Sequence, residues 1–525
     1  MFLIMSAAYV GQDLRAEFGA IPPTFLPLGN KRLFQHQVAK VASGKSIYLS
    51  VPRSYQVQEF DRLWLQEHSV TLLPLPDNLS LGESLMAALA LIERPFDTDL
   101  SILYGDTLIT LPTDLDVVSI SHADSTYNWA TVDENKPEWL KVDDENIDSQ
   151  SQVVSGYFNF SNPRTLIRCL SQTHWDFLQA LSAYHDINGI KTCLCDDWLD
   201  FGHVNTYYRS KARYTTQRAF NSLSITPDWI EKSSIKDVKI TAESRWFQAI
   251  PNSVKHFTPQ FLGETCFEGR TSYRLEYLYN MALNELFVFA HLPEMTWRQI
   301  LKQMLSFLSA CQAEVAPKEA KVDSFDALFA GKTEQRLQEF CRERGYDWQQ
   351  PWRYNGQTSM SLKALHEASL KHLPDSYEAT LMHGDFCFSN ILYDFRKDRI
   401  KVIDPRGITS DNTQSVYGHL YYDIAKICHS VLGLYDWIIA GYYRVTAQNY
   451  SVHFELADTS HLNSVQKMFV EALTEQYPLT TQTLYAMQIQ LFLSMLPLHS
   501  DDTLRQDALM ANAFRLNNLM LESNQ

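Results

Sequence analysis

Through residues 1–213, short apolar runs alternate with stretches whose apolar residues recur every three or four positions. Apolar runs bounded by turn residues predict buried strands, and the three-to-four spacing predicts helices with one packed face. The strand candidates are FLIMSAAY, SIYLSVP, VTLLPL, LSILYGD, TYNWATVD and VVSGYFNFS, with LFQHQVAKVAS and LGESLMAALALIE as helices between them. That alternation predicts an α/β sheet covered by helices. A second pattern starts near residue 214, where RAFNSLSI and DWIEKSSI read as strands, DVKITAESRWFQAI as a helix and YRLEYLYN as a strand. From Met295 onward the chain reads as mostly helical, broken by the strand-like pair SNILYDF and RIKVID.

A chain of 525 residues exceeds one hydrophobic core, because cores stop growing at about 250–300 residues. No glycine- or proline-rich linker marks a division, so the boundary is placed by motifs: residues 1–213, then residues 214–525 with a small lobe over 214–290 and a helical lobe over 291–525. The net charge of −16 disfavours nucleic acid as a partner. It also means that anionic ligands need magnesium to offset charge. The opening MFLIMSAAYV lacks a basic flank and is too short to span a bilayer, so it reads as a first strand rather than a membrane insertion. Eight cysteines without a CxxC pair read as free thiols in a reducing cytoplasm. Whether the chain forms a homo-oligomer is left open.

The most specific segment is LMHGDFCFSNILYDFRKDRIKVIDPR, Leu381 to Arg406. Phosphoryl transfer needs a carboxylate to accept the proton of an attacking hydroxyl, and oxygen ligands to hold magnesium on the nucleotide. Asp385, five residues before Asn390, and Asp404 at the end of an apolar strand meet those needs at suitable spacing. The segment resembles the aminoglycoside phosphotransferase and choline kinase family, with its HxDxxxxN loop followed by an aspartate on a later strand. The resemblance implies a two-lobed protein-kinase-like fold over about residues 216–525. It implies Asp385 as catalytic base, Asn390 and Asp404 as magnesium ligands and His383 as an organiser of the loop. Upstream it implies a lysine and glutamate pair that positions ATP; Lys232 and Glu243 fit, with Lys236 and Lys239 as neighbouring alternatives. RAFNSLSI stands where a glycine-rich loop is usual yet has no glycine, so phosphate contact there would use backbone N–H groups and Ser222. Residues 275–279, LEYLY, would join the lobes, and Asp423 in YYDIAKICHS would form a helix-stabilising ion pair.

The N-terminal motifs are individually weaker. MSAAYVGQDLRAEFG offers a strand, a turn holding Gly11, and Arg15 within reach of a phosphate. IPPTFLPLGNKRLFQHQV, LSLGESLMAAL, ILYGDTLI, VVSGYFNFS and DDWLDFGHVNTYY then follow in an order that resembles the sugar nucleotidyltransferases. The resemblance implies a mixed-sheet, Rossmann-like (GT-A-like) domain in which Asp106 and Asp200 coordinate magnesium and Gly82 meets the nucleobase. Arg15 and a lysine, either Lys136 or Lys141, would grip phosphates. Two departures stand out: the usual double-glycine signature reads AAYVGQDLR, and Pro23 replaces the lysine expected before LLPV.

Together these motifs predict a bifunctional enzyme. One half would phosphorylate a small alcohol with ATP, and the other would join the phosphate to NMP from a second nucleoside triphosphate, with CTP favoured, giving an activated precursor for surface polysaccharide or lipid head groups. Choline, ethanolamine, a polyol, glycerate or a sugar all fit as the alcohol. Trp437, Tyr442 and Tyr443 could cage a quaternary ammonium, although their helical spacing suits a core. Two rivals are a kinase with a catalytically silent nucleotide-sensing half and a non-catalytic scaffold.

Overall fold

The computed structural model describes residues 1–123, 127, 129–133, 139–141, 151–218, 223–234, 237–267, 270–374 and 378–523. The chain forms two compact units, Met1–Arg218 with Phe289–His291, and Ala219–Val288 with Leu292–Gln525. Helix Val204–Arg218 runs through residues 213 and 214.

In the first unit the central sheet has the strand order Lys191–Leu194, Val117–His122, Gln152–Phe160, Leu100–Tyr104, Phe2–Met5, Ile47–Pro52, Val70–Leu75. Phe2–Met5 lies parallel to both its neighbours, whereas Gln152–Phe160 runs antiparallel to Leu100–Tyr104 and Val117–His122, so the sheet is mixed. Phe2–Met5 is buried throughout, as an apolar run covered on both faces must be. Leu3, Ile102, Phe158, Leu85 and Leu166 share its core. The segment TYNWATVD yields only the strand Thr131–Val132, and part of it lies outside the described residues.

The consequence for function is at the carboxyl ends of the central strands. Met5 pairs with Tyr104, so the turns that follow emerge side by side, where open α/β sheets bind ligands. Gly105 occupies the tight junction: its N–H donates to the Met5 carbonyl at 2.8 Å, and a Cβ there would lie 2.8 Å from Ser6 Oγ.

The second unit begins with an antiparallel sheet ordered Leu223–Ile225, Trp229–Ser233, Arg270–Glu276, Phe261–Phe267. Helix Asp237–Ala249 packs on it. The remainder is built on helices Glu294–Gln312, Ala330–Arg344, Leu420–Val431, Thr481–Met495 and Thr503–Glu522. Strands Ile391–Asp394 and Arg399–Val402 form the hairpin after the HGD segment.

This part is less uniformly helical than the sequence suggests. A further sheet, ordered Gln357–Ser361, Pro351–Tyr354, Ser451–Leu456, Tyr443–Gln448, is set among the helices. Trp437 and Tyr442 are buried and their rings pack 5.4 Å apart, which makes them core rather than a cage.

Candidate functional site

Each unit gathers acidic side chains at a site of its own. In the second, Lys232 stands on strand Trp229–Ser233, opposite Tyr273. Its Nζ lies 2.7 Å from Glu243 Oε2 and 3.1 Å from Asp404 Oδ1. The Tyr273 hydroxyl donates to the same Glu243 oxygen at 2.8 Å. Burial opposes the ammonium charge, but Asp404 and Glu243 outweigh it and hold the Lys232 pKa above its ordinary value. Lys239 lines the same cavity without taking this place, and Lys236 and Ser222 lie outside the described residues.

Strand Ala379–Leu381 leads into the HGD turn. The backbone N–H groups of His383 and Gly384 donate to the two oxygens of Asp423 at 2.7 and 2.8 Å. Asp423 is fully buried, and burial raises its pKa to about 7 against the pull of these two bonds. The ion pair anticipated for Asp423 is therefore replaced by a different task, pinning the loop by its main chain. Gly384 makes the turn at φ +81°, with the Arg406 Cβ 2.6 Å from where a side chain would begin. The His383 ring accepts the Asp385 N–H at Nδ1, 3.3 Å away, and burial lowers its pKa to about 4, so it is neutral.

Asp385 receives two contacts. Asn390 Nδ2 donates to its Oδ2 at 3.0 Å and to its carbonyl at 2.9 Å, which leaves the Asn390 side-chain oxygen as an acceptor. Lys426 Nζ lies 2.9 Å from its Oδ1. Burial would raise the Asp385 pKa, but Lys426 outweighs it and keeps the carboxylate below its ordinary value. Asp404 follows strand Arg399–Val402 in the left-handed region at φ +57°, which aspartate tolerates better than most residues. Lys232, Glu243, Asp385, Asn390 and Asp404 line one cavity of about 790 Å³. Lys426, Tyr273 and Asp423 were not given these roles by the sequence motif.

In the first unit, strand Leu199–Asp200 pairs antiparallel with Thr107–Leu108, setting Asp200 opposite Thr107. That register brings Asp200 beside Asp106. A Cβ on Gly202 would lie 2.7 Å from Asp106 Oδ2 and 3.3 Å from Asp200 Oδ1, so the absent side chain keeps the space between the carboxylates clear. Burial, and then the charge of Asp200, drive the Asp106 pKa up to about 7. Asp200 Oδ2 is buried and has no hydrogen-bond partner among the described residues, and His203 Nδ1 stands 3.9 Å from it. The His203 ring stacks on Tyr127 at 3.9 Å.

The other expected residues are placed differently. Gly11 is the residue before helix Gln12–Phe18, exposed and with open space where a side chain would go. Arg15 is exposed in that helix. Both follow strand Phe2–Met5, on the side of the sheet where Asp106 follows its neighbour. Gly82, second in helix Leu81–Leu91, has a packing reason to be glycine, because a Cβ would fall 2.1 Å from the Trp175 carbonyl oxygen. Lys141 is exposed on strand Leu140–Lys141, and Lys136 lies outside the described residues.

Both clusters suit a hard divalent cation. A buried carboxylate oxygen with no hydrogen bond among the described residues, and a second carboxyl whose pKa is raised by burial and by that neighbour, both favour a positive charge between Asp106 and Asp200. Asn390 and Asp404 offer the amide and carboxylate oxygens such ions prefer. Among the described residues no three His, Cys, Asp or Glu side chains are placed to hold a metal ion together; magnesium is ordinarily held by one or two carboxylates together with substrate phosphates.

No curated protein matches the sequence. The inositol-1-phosphate CTP transferase of T. maritima aligns with 41% of this chain and 96% of its own at 15% identity, with a TM-score of 0.31. An aminoglycoside-3'-phosphotransferase of type VIII aligns with 54% of this chain and 97% of its own at 11% identity, also with a TM-score of 0.31. Residues 299–457, which contain the HGD loop and Asp404, match the phosphotransferase enzyme family.

Proposed function

We propose that the chain is a bifunctional enzyme, with a nucleotidyltransferase over residues 1–213 and a small-molecule kinase over residues 214–525. The observation that carries the kinase is the convergence of Lys232, Glu243, Asp385, Asn390 and Asp404 on one cavity, within a unit part of which matches a phosphotransferase family. Asp385 accepts the proton of the acceptor hydroxyl as its oxygen bonds to the γ-phosphorus of ATP, while the bond to the β-phosphate oxygen breaks and ADP leaves. Lys232, held by Glu243, steadies the nucleotide phosphates. Neutral His383 and buried Asp423 fix the loop that aims Asp385.

In the other half, Asp106 and Asp200 face one another across Gly202. An oxygen of the phosphate monoester attacks the α-phosphorus of a nucleoside triphosphate and pyrophosphate leaves; the nucleophile is already ionised and needs no base. Arg15 and a lysine, Lys136 or Lys141, hold phosphates. Gly11 brings backbone N–H groups to the triphosphate, and Gly82 sits at the base. Magnesium, held by Asn390 and Asp404 in one half and by Asp106 and Asp200 in the other, would neutralise phosphate charge. CTP is the favoured second nucleotide, and the product is an NDP-activated precursor for surface polysaccharide or lipid head groups, made in the cytoplasm.

The test is a mass-spectrometric screen of alcohols with ATP, CTP, UTP and GTP. The reading requires products heavier first by phosphate and then by NMP. Phosphate gain alone, with no pyrophosphate released from any triphosphate, would reduce the first half to a nucleotide sensor.

A further inference from the structure

Beyond Asp385, the cavity is lined by cations. Helix Ala330–Arg344 presents Lys332 and Arg336, one turn apart, and Arg406 and Lys426 reach the same space. Tyr422, buried between them, organises two: the Lys332 and Lys426 ammonium groups lie 5.6 and 5.8 Å from its ring centroid, and Lys332 Nζ is 3.4 Å from its hydroxyl. Arg406 and Lys426 have carboxylate partners in Asp323 and Asp385. Lys332 and Arg336 form no ion pair among the described residues; Arg336 donates to the Ser494 carbonyl at 3.1 Å. Glu339 lines the cavity as well and softens this positive wall without pairing with either.

Such an arrangement is costly unless it has a use. Burial lowers the Lys332 pKa, and Arg336, Arg406 and Lys426 lower it further by repulsion. Burial would raise the Tyr422 pKa, yet Lys426, Lys332 and Arg406 outweigh it and lower it. Lys332 also sits in the first turn of its helix, where the dipole is positive and a cation is disfavoured. In a chain of net charge −16, this is not the background composition.

These groups belong to a different contact set from the residues proposed to hold the nucleotide. The contacts run from Asp385 through Lys426 and Tyr422 to Lys332, whereas Lys232, Glu243 and Asp404 form their own contact set. We infer that the acceptor is a hydroxy compound that also carries an anionic group, a carboxylate or a phosphate monoester, seated on Lys332 and Arg336 while its hydroxyl meets Asp385. This rests on reading the unit as a kinase, and it excludes choline, ethanolamine and uncharged polyols as preferred acceptors.

The test measures ADP formation by the full chain with ATP, magnesium and matched acceptors: glycerate and glycerol 3-phosphate against glycerol, gluconate and glucose 6-phosphate against glucose, with choline and ethanolamine beside them. At least one anionic acceptor should exceed its neutral counterpart about tenfold in kcat/KM, and Lys332→Met with Arg336→Gln should raise the acceptor KM about tenfold while leaving the KM for ATP unchanged. Lys332→Arg, which keeps the charge, should retain the preference. The carboxylate and phosphate arms tell which anion is read. A neutral or cationic acceptor preferred, or a double variant that weakens only ATP, overturns the inference while the kinase stands. ADP from none of them removes the kinase reading and the inference together.

Discussion

Lys426 Nζ lies 2.9 Å from Oδ1 of Asp385, so the carboxylate assigned the proton of the acceptor is held ionised by a lysine from a different element. Asn390 occupies the other oxygen. The pair keeps Asp385 ready as a base at neutral pH and fixes its rotamer. Lys426→Met removes the charge that outweighs burial, so the Asp385 pKa rises and the acidic limb of the kcat/KM profile moves to higher pH. A profile shifted to lower pH, or not shifted in a folded variant, would contradict the assignment.

Asp423 should set the rate of phosphorylation, although it reaches no substrate. Asp423→Asn supplies one acceptor for two backbone N–H groups, so one of the His383 and Gly384 bonds is lost. The expected result is a fall in kcat of about 10²-fold with the ATP KM little changed, since a loop misplaced by an ångström costs roughly that much. Steady-state kinetics of the folded variant checks it.

Gly202 separates the two activities. A methyl group at residue 202 would occupy the gap between Asp106 and Asp200. Gly202→Ala should therefore cut pyrophosphate release by at least about 10²-fold, the scale of losing electrostatic stabilisation at a reacting phosphate. ADP formation should continue at its normal rate, and a parallel assay of both products decides the matter.

Two buried histidines predict acid sensitivity. Burial depresses the pKa of His383 and of His419 to about 4 in each case, while His419 Nε2 contacts the Asp323 carbonyl at 3.0 Å. The unfolded chain binds these protons near pH 6.5 and the folded chain only near pH 4. Stability is thus complete above the unfolded value and is lost as pH falls through that window, by at most on the order of 3 kcal/mol per histidine. Asp106 and Asp423, whose pKa values burial raises to about 7, act in the opposite direction over the same range, so the histidine share is read as a difference. In urea unfolding at pH 7.5 and pH 5, His419→Gln should lose less stability, or gain more, than the unsubstituted protein as pH falls.

The sequence made the HGD loop and the order of the N-terminal strands legible because both are local: a spacing of polar residues, and apolar runs between turns. Lys426 was hidden because a lysine on a helix ordinarily faces water, and only the fold turns its helix toward Asp385. The extra sheet of the second unit left a local signal that the helical reading passed over. Asn355 and Gly356 take φ of +48° and +82° between strands Pro351–Tyr354 and Gln357–Ser361, the turn that an Asn-Gly pair favours. Strand Tyr443–Gln448 alternates half-buried and exposed residues, the period of a strand. Gly202 and Gly105 carry their meaning through contacts with residues distant in sequence.

Phosphorus NMR of one reaction containing the full chain, ATP, CTP, magnesium and an anionic hydroxy compound tests the central claim most directly. The account predicts ADP and a phosphate monoester first, then pyrophosphate and a CDP-linked product. Asp385→Asn should yield that product only when the monoester is supplied, and Asp106→Asn should stop at the monoester. If either substitution abolished both steps in a folded protein, or if neither impaired one, two independent sites could not be the basis of the chemistry.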